Sequence, residues 1–235
     1  MSIAQAMILA AGRGERMRPL TDFCPKPLLR VKGKPLLHYH LDALGHGGFR
    51  DVVINTAWLG EQIEDHFGHE TAEGVRIKYS HEGRDFGGAL ETAGGIARAL
   101  PLLAEVFWIV GGDVYMPEFM FTRAAYDQFA ASGKSAHLFL VPNPGHNPRG
   151  DFGLSEQGLA LNTADTRHTY STVGLDRRAF FDGLPAGNPE GKKLALAPML
   201  RAAIERGEVS AEHYTGPWTD VGTPERLSAL NTPGS

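Results

Sequence analysis

Short apolar runs recur along the first part of the chain and predict β-strands. They cover residues 6–9, 52–55, 75–79, 107–111 and 136–141. Segments with the apolar spacing of helices lie between them, at residues 35–44, 59–67, 91–100 and 118–131. Strictly alternating strands and helices are typical of a parallel sheet covered on both faces. We therefore predict an α/β fold with a Rossmann-like, doubly wound and mostly parallel sheet.

The pattern changes after residue 141. A loop rich in Pro, Gly and Asn covers residues 142–150, strand-like pieces follow at 152–154 and 170–175, and a helix is predicted near 197–206. We expect this half to form a small α+β region with antiparallel strands and a lid at the sheet edge. The length favours a single domain over residues 1–235, with one part at 1–141 and a second at 142–235.

The charge balance and the cysteine content exclude some classes of function for this chain. Lys and Arg number 23 against 27 Asp and Glu, so no positive field would collect nucleic acid, and an anionic ligand must be held locally. The single cysteine fits a reducing compartment. The apolar opening, residues 1–11, is shorter than a membrane span of roughly twenty residues and lacks a basic leader. A cytoplasmic protein without a membrane partner is therefore expected.

A glycine loop follows the first predicted strand, at the strand end where open α/β sheets bind ligands. It comprises Ala10, Ala11, Gly12, Arg13, Gly14, Glu15 and Arg16. Small residues let backbone N–H groups approach a phosphate chain, and Arg16 adds a planar donor fork. Met17 stands where a Rossmann fingerprint has its third glycine, and the Gly-Lys-Ser/Thr of a P-loop is absent. The loop predicts a triphosphate cradle, with an ordinary strand-to-helix turn as the alternative.

Three charged residues elsewhere are candidates for a phosphate and metal site. Pro25 and Pro27 restrict the backbone around Lys26, which suits a fixed positive charge. Asp113 follows a predicted apolar strand, where a carboxylate can hold Mg²⁺, and Asp220 precedes a predicted helix. A solvated lysine, a turn-capping Asp113 and a helix-entry role for Asp220 are the alternatives.

Five motifs resemble those of the sugar-1-phosphate nucleotidyltransferases and occur in that family's order. They are LAAGRGERMRPLT at 9–21, PKPLL at 25–29, LETAGG at 90–95, VGGDV at 110–114 and WTDVGTPERL at 218–227. The resemblance implies an enzyme in which a sugar 1-phosphate attacks the α-phosphorus of an NTP. Pyrophosphate leaves, and Mg²⁺ is the implied cofactor.

The resemblance also implies roles for individual residues. Arg16 would contact the leaving pyrophosphate, and Lys26 the phosphates near the reacting centre. Asp113 and Asp220 would ligate Mg²⁺. Nucleotide contacts are expected from Ala10, Ala11, Gly12, Gly14, Glu15, Glu82, Thr92 and Gly94. Sugar-phosphate contacts are expected from Asn143, Arg149, Gly150, Asp151 and Ser171.

Within the family, the segments AWLGEQIEDHFG and VPNPGHNPRGDF are similar to the branch that uses UTP and N-acetylmuramate 1-phosphate in cell-wall recycling. Three departures from the sequence pattern of this branch bear on the identity of the acceptor sugar: Gly112 replaces an Asn, residues 85–89 look like an insertion, and Thr172 replaces a glycine. A smaller or different acceptor therefore stays open.

Other substrates are also open: mannose 1-phosphate with GTP, glucose 1-phosphate with dTTP or UTP, and phosphocholine with CTP. So is a non-catalytic nucleotide-sugar-binding regulatory protein. The sequence leaves both a monomer and a homodimer possible.

Overall fold

A computed structural model describes residues 3–232, so the first two positions of the apolar opening lie outside the described residues. Seven strands form the central sheet. They are β1 Ala4–Leu9, β2 Asp51–Thr56, β3 Arg76–His81, β4 Leu103–Gly111, β5 Ala136–Val141, β6 Thr169–Arg177 and β7 Val209–His213. Their order across the sheet is β7-β5-β6-β4-β1-β2-β3. Strands from both halves of the chain thus share one sheet.

Six strands run in one direction and β6 runs against them. β1 is parallel to both β2 and β4, and β3 continues the parallel order beside β2. β6 is antiparallel to its neighbours β4 and β5, and β7 is parallel to β5. The prediction of a doubly wound, mostly parallel sheet is confirmed, with its antiparallel strand contributed by the second half of the chain.

Seven α-helices occur within residues 3–232. They are α1 Leu36–His46, α2 Gly60–Phe67, α3 Glu82–Phe86, α4 Glu91–Ala99, α5 Arg123–Ala131, α6 Leu196–Glu205 and α7 Pro224–Asn231. Successive strand residues face opposite sides of a sheet, so the central strands supply two cores. In β4, Trp108 belongs to one apolar cluster and Phe107 to the other.

The helix predicted at residues 118–131 begins only at residue 123, so the prediction was wrong for its first five positions. Phe119 and Phe121 are buried in edge-on contact with Trp108, whereas the residue between them is exposed. This alternation is that of an extended segment, and it buries two aromatic rings that a helix would point in different directions. Thr122 then caps α5 with its hydroxyl.

Short strand pairs and 3-10 turns complete the described chain. The pairs are Val114–Tyr115 with Thr219–Asp220, Arg30–Val31 with Lys34–Pro35, and Gly153–Leu154 with Ala160–Leu161. The 3-10 turns are Glu15–Met17, Leu20–Asp22, Lys26–Leu28, Leu100–Leu102 and Arg178–Phe181. The first pair brings the C-terminal segment back beside the end of β4. Among residues 3–232, no helix has the length and apolar character needed to span a membrane.

Candidate active site

A cleft opens where β1 and β4 end at the same edge of the sheet, the position at which this class of sheet binds ligands. Its volume is about 440 Å³. The lining residues are Leu9, Ala10, Ala11, Gly12, Gly14, Glu15, Arg16, Met17, Lys26, Pro27, Asn55, Glu82, Ala89, Glu91, Thr92, Gly111, Gly112, Asp113, Thr172 and Gly222. Most residues predicted for the nucleotide are therefore together in one cavity.

The glycine loop after β1 forms one wall of the cleft. Gly14 has φ +70°, a left-handed conformation that favours glycine. The space beside Gly12 is open, because a side chain there would meet no atom within 4 Å. The Ala10 N–H donates to Asn55 Oδ1 at 2.7 Å, which fixes the start of the loop to the end of β2. The backbone at Gly12 is thus accessible to a phosphate chain.

Two arginines of this loop have different surroundings. Arg13 donates to Asp22 Oδ1 and to the Thr21 carbonyl, both at 2.8 Å, and its guanidinium lies 3.8 Å from the centre of the Trp58 ring. Arg16 is exposed at the cleft, and within the described part of the chain its side chain has no hydrogen-bond or ion-pair partner. Arg13 therefore stabilises the loop, while Arg16 is free to bind an anion.

Lys26 and Asp113 form an ion pair inside the cleft. Lys26 Nζ lies 2.6 Å from Asp113 Oδ2, and the two side chains are 10% and 43% exposed. The prolines beside Lys26 hold it in a single 3-10 turn. The Gly112 N–H donates to the Leu9 carbonyl at 2.9 Å, which ties the turn after β4 to the end of β1. Two motifs 87 residues apart thus meet at one point.

Asp220 is brought beside Asp113 by backbone pairing. It faces Val114 in the short strand pair, and the next N–H, that of Val221, donates to the Asp113 carbonyl at 2.8 Å. The carboxylate of Asp220 does not line the cleft itself, although Gly222 does. The structure thus places both predicted metal residues at adjacent positions, one in the cleft and one at its border.

Asp113 and Asp220 fit a divalent cation by their chemistry and their surroundings. Carboxylate oxygens are the ligands that Mg²⁺ prefers. Each carboxylate already holds a positive group of the chain: Lys26 Nζ lies 2.6 Å from Asp113 and Arg226 Nη1 lies 2.5 Å from Asp220. Both positions therefore favour positive charge, as a metal site requires.

Glu82 lines the cleft although it is fully buried, and both of its oxygens have partners. Oε1 accepts from Asn55 Nδ2 at 2.6 Å, and Oε2 accepts from the Leu90 N–H at 2.7 Å. Burial raises the pKa of this carboxyl, and the two hydrogen bonds oppose that shift. Because Asn55 also binds the Ala10 N–H, Glu82 connects the glycine loop to the start of α4.

The start of α4 contributes two side chains to the cleft. Glu91, with φ +59°, and Thr92 line it. Gly94, predicted to contact the nucleotide, does not line the cleft. A side chain at Gly94 would lie 2.5 Å from the Lys192 carbonyl oxygen, and the Gly94 N–H donates to the Leu194 carbonyl at 3.1 Å. Gly94 instead lets α4 pack closely against the segment that precedes α6.

Two residues predicted for the sugar phosphate lie in a separate groove. Asn143 and Arg149 line a space of about 360 Å³ with Pro148 and residues 164–167, and its lining has no residue in common with the cleft. Asn143 Nδ2 donates to the Arg167 carbonyl at 2.9 Å, so this amide stabilises the groove. The structure therefore does not bring Asn143 and Arg149 together with the nucleotide residues.

The other three residues predicted for the sugar phosphate make contacts within the protein. Gly150 has φ +62°, and a side chain there would lie 2.7 Å from the backbone of residues 167–168. Asp151 Oδ2 accepts from the N–H of Tyr170 at 2.8 Å. The hydroxyl of Ser171 accepts from the Val173 N–H at 3.1 Å. These contacts shape the start of β6, beside the cleft residue Thr172.

Ten of the twenty residues that line the cleft were not predicted as site residues, and Asn55, Thr172 and Gly222 are among them. Thr172 has φ +61° and lies where the pairing of β6 with β5 shifts register. A side chain at Gly111 would meet Thr172 Oγ1 at 2.3 Å, so this hydroxyl lies directly beside the turn that carries Asp113. Asn55 could have been predicted as a site residue, because it is a polar residue at the end of an apolar strand.

Comparison with known proteins gives consistent matches. A family model described as nucleotidyl transferase matches residues 5–167. The chain is 50% identical over 228 residues to the N-acetylmuramate alpha-1-phosphate uridylyltransferase of Neisseria meningitidis serogroup B, covering 95% of each chain. It is 32% identical over 231 residues to the protein of the same name from Caulobacter vibrioides, covering 94% of this chain and 92% of the relative.

A solved structure agrees at the level of the fold. The putative glucose-1-phosphate thymidylyltransferase from Bacillus anthracis superposes with a TM-score of 0.80, covering 97% of this chain and 94% of that one. At 18% identity this likeness concerns the fold alone. The matched family model and the two relatives identify the family as well as the fold. The chain belongs to the nucleotidyl transferase family, whose members transfer a nucleotidyl group to a sugar 1-phosphate, and it is an enzyme of that kind.

Proposed function

We propose that this enzyme joins UTP to N-acetylmuramate 1-phosphate in a Mg²⁺-dependent reaction that yields the UDP-sugar and pyrophosphate, and that it serves cell-wall sugar recycling. The observation that carries the proposal is the cleft at the ends of β1 and β4. There Arg16, which has no side-chain partner among residues 3–232, and the Lys26–Asp113 pair lie beside the open backbone of the glycine loop. The 50% identity to the Neisseria meningitidis protein supports the choice of substrates.

In this reaction an oxygen of the sugar phosphate forms a bond to the α-phosphorus of UTP. The bond from that phosphorus to the bridging oxygen breaks, and pyrophosphate leaves with the electron pair. No covalent bond to the protein is needed. Catalysis then depends on orienting the two phosphates and on stabilising the negative charge that develops.

The cationic side chains of the cleft are suited to this task. Arg16 offers its free guanidinium fork to two oxygens of the leaving pyrophosphate. Lys26 is confined by its prolines and by its ion pair with Asp113, so it would be available to the reacting phosphate in a fixed place. Asp113 and Asp220 would hold Mg²⁺, which supplies Lewis-acid stabilisation of phosphate oxygens when it is bound.

The start of α4 is the best candidate to bind the base. Within residues 3–232 the Thr92 hydroxyl has no hydrogen-bond partner, and Thr92 lines the cleft. A free hydroxyl can donate to or accept from the edge of a pyrimidine ring. Glu82 then acts indirectly, through its hydrogen bonds with Asn55 and with the N–H of Leu90, two positions before Thr92.

A substrate panel tests the proposed function. Four NTPs are combined with N-acetylmuramate 1-phosphate, N-acetylglucosamine 1-phosphate, glucose 1-phosphate and mannose 1-phosphate, and released pyrophosphate is measured with Mg²⁺ present. UTP with N-acetylmuramate 1-phosphate is expected to give the highest kcat/KM, and Asp113→Asn serves as the inactive control. A higher kcat/KM with another pair would reassign the substrates. No pyrophosphate with any pair would refute the proposal.

A further inference from the structure

The two carboxylate oxygens of Asp220 have different neighbours. Oδ1 accepts from Arg226 Nη1 at 2.5 Å, and His146 Nε2 lies 3.0 Å from the same oxygen. Oδ2 accepts no hydrogen bond within residues 3–232. It lies 3.1 Å from the point where a side chain at Gly222 would begin, and Arg226 Nη2 lies 2.4 Å from the same point. Because Gly222 lines the cleft, Oδ2 stands at the border of the cleft, whereas the protein holds Oδ1.

Arg226 and His146, which lie beside Oδ1, come from separate segments. Arg226 lies in the first turn of α7, where its N–H donates to the capping hydroxyl of Thr223 at 3.4 Å. His146 lies in the loop of residues 142–150, and its Nε2 is 2.8 Å from Arg226 Nη1. One ring nitrogen cannot accept from Arg226 and donate to Asp220 at once, so His146 either donates to Oδ1 or holds the guanidinium that does. The Arg226 and Asp220 side chains are 19% and 21% exposed, so water screens their interaction only in part.

We propose that Arg226 and His146 are positioning residues that orient Asp220 so that Oδ2 points toward the divalent cation. This inference rests on the proposed function, in which Asp220 is a metal ligand. A ligand whose outer oxygen is already hydrogen-bonded loses less rotamer freedom on binding the metal. Loss of such outer partners typically weakens metal binding about 10- to 100-fold.

The arrangement also connects the metal ligand to the loop of residues 142–150. That loop contains Asn143 and Arg149, which line the second groove. A change in the position of His146 would therefore reach Asp220 directly, through its 3.0 Å contact with Oδ1. The loop thus takes part in placing the metal ligand without lining the cleft.

The test measures the affinity of the full chain for Mn²⁺ by electron paramagnetic resonance, with a UTP analogue that has a methylene α–β bridge. Arg226→Met keeps an unbranched apolar stem but removes the donors of the side chain, and it is expected to weaken Mn²⁺ binding roughly 10- to 100-fold. His146→Ala is expected to weaken binding, whereas His146→Gln keeps an N–H donor and restores it in part. Arg201→Met, on the surface of α6, is the matched control and should match the wild type.

Asp220→Asn separates the metal role of Asp220 from the positioning role of Arg226. If Asp220→Asn leaves Mn²⁺ affinity unchanged, the metal role of Asp220 in the proposed function is wrong. If Asp220→Asn weakens binding but Arg226→Met does not, or binds Mn²⁺ more tightly, the positioning role is overturned and the proposed function stands. Arg226→Lys provides a milder variant should Arg226→Met fail to fold, and thermal unfolding of each variant identifies that case.

Discussion

Arg13 and Arg16 lie three positions apart, yet their substitutions are expected to have different effects. Arg16→Ala should lower kcat/KM roughly 10- to 100-fold, because a hydrogen bond to a charged phosphate contributes about 1.5–3 kcal/mol. Its Tm should not change, since the side chain has no partner among residues 3–232. Arg13→Ala should instead lower Tm, because it loses its ion pair with Asp22 and its contact with Trp58. Kinetics and thermal unfolding of both variants check this. An unchanged kcat/KM in Arg16→Ala would contradict the assigned role.

Thr172 combines backbone strain with a position in the cleft. A β-branched residue at φ +61° is strained by about 1–2 kcal/mol, and glycine relieves that strain. Thr172→Gly also opens space beside Gly111. We expect the ratio of kcat/KM for N-acetylmuramate 1-phosphate over glucose 1-phosphate to rise about tenfold, a typical effect of freeing space in a pocket. Thr172→Ser, which keeps the hydroxyl, is the control. An unchanged ratio in Thr172→Gly would show that the acceptor does not reach this residue.

At the scale of elements, the strands of the first half were predictable because each is an apolar run. Two of the misses have physical reasons. Residues 118–122 have both helical and extended spacing, and the surrounding aromatic rings make the extended form better. Phe119 and Phe121 pack on Trp108, and Phe119 also packs on Phe139 and Tyr214. β7, with the sequence VSAEH, is too polar to be read as a strand and exists because β5 offers it a parallel edge.

The antiparallel strand β6 carries a titratable group that the mechanism does not use. Asp176 is 2% exposed, and in the described part of the structure its Oδ2 has no hydrogen-bond partner. Burial raises the pKa of Asp176 to about 7, well above 3.8, the ordinary value expected in the unfolded chain. A raised pKa means that the folded protein keeps the proton. The free energy of unfolding should therefore fall by roughly 1.4 kcal/mol per pH unit between about pH 4 and pH 7 from this group.

Asp176→Asn tests this assignment. The variant keeps the shape of the neutral carboxyl, so it should be more stable than the wild type at pH 8 and lose most of that advantage at pH 5. Denaturant unfolding at both pH values measures the difference. Asp182→Asn, in the exposed turn after β6, is the control. The same stability difference at both pH values would show that Asp176 titrates normally.

At the scale of the whole molecule, local motifs could be predicted and long-range side-chain pairs could not. Arg16 and Asp113 stand in short motifs after strands, and Lys26 stands in a turn between two prolines; all three line one cleft. The Asn55–Glu82 pair could not be anticipated, because its partners belong to different elements, β2 and α3, and meet only in the folded chain. The same holds for the contact of Asp220 with His146.

The ion pairs of the two proposed metal ligands have a consequence for the order of binding. Asp113 and Asp220 each face a cation of the chain, Lys26 and Arg226, so the charge at these carboxylates is balanced before any ligand arrives. A free divalent ion would enter a locally neutral site and would have to compete with Lys26 for Asp113. A triphosphate brings its own negative charge and can draw Lys26 away. We therefore expect the metal and the nucleotide to arrive together, as one complex, ahead of the sugar phosphate.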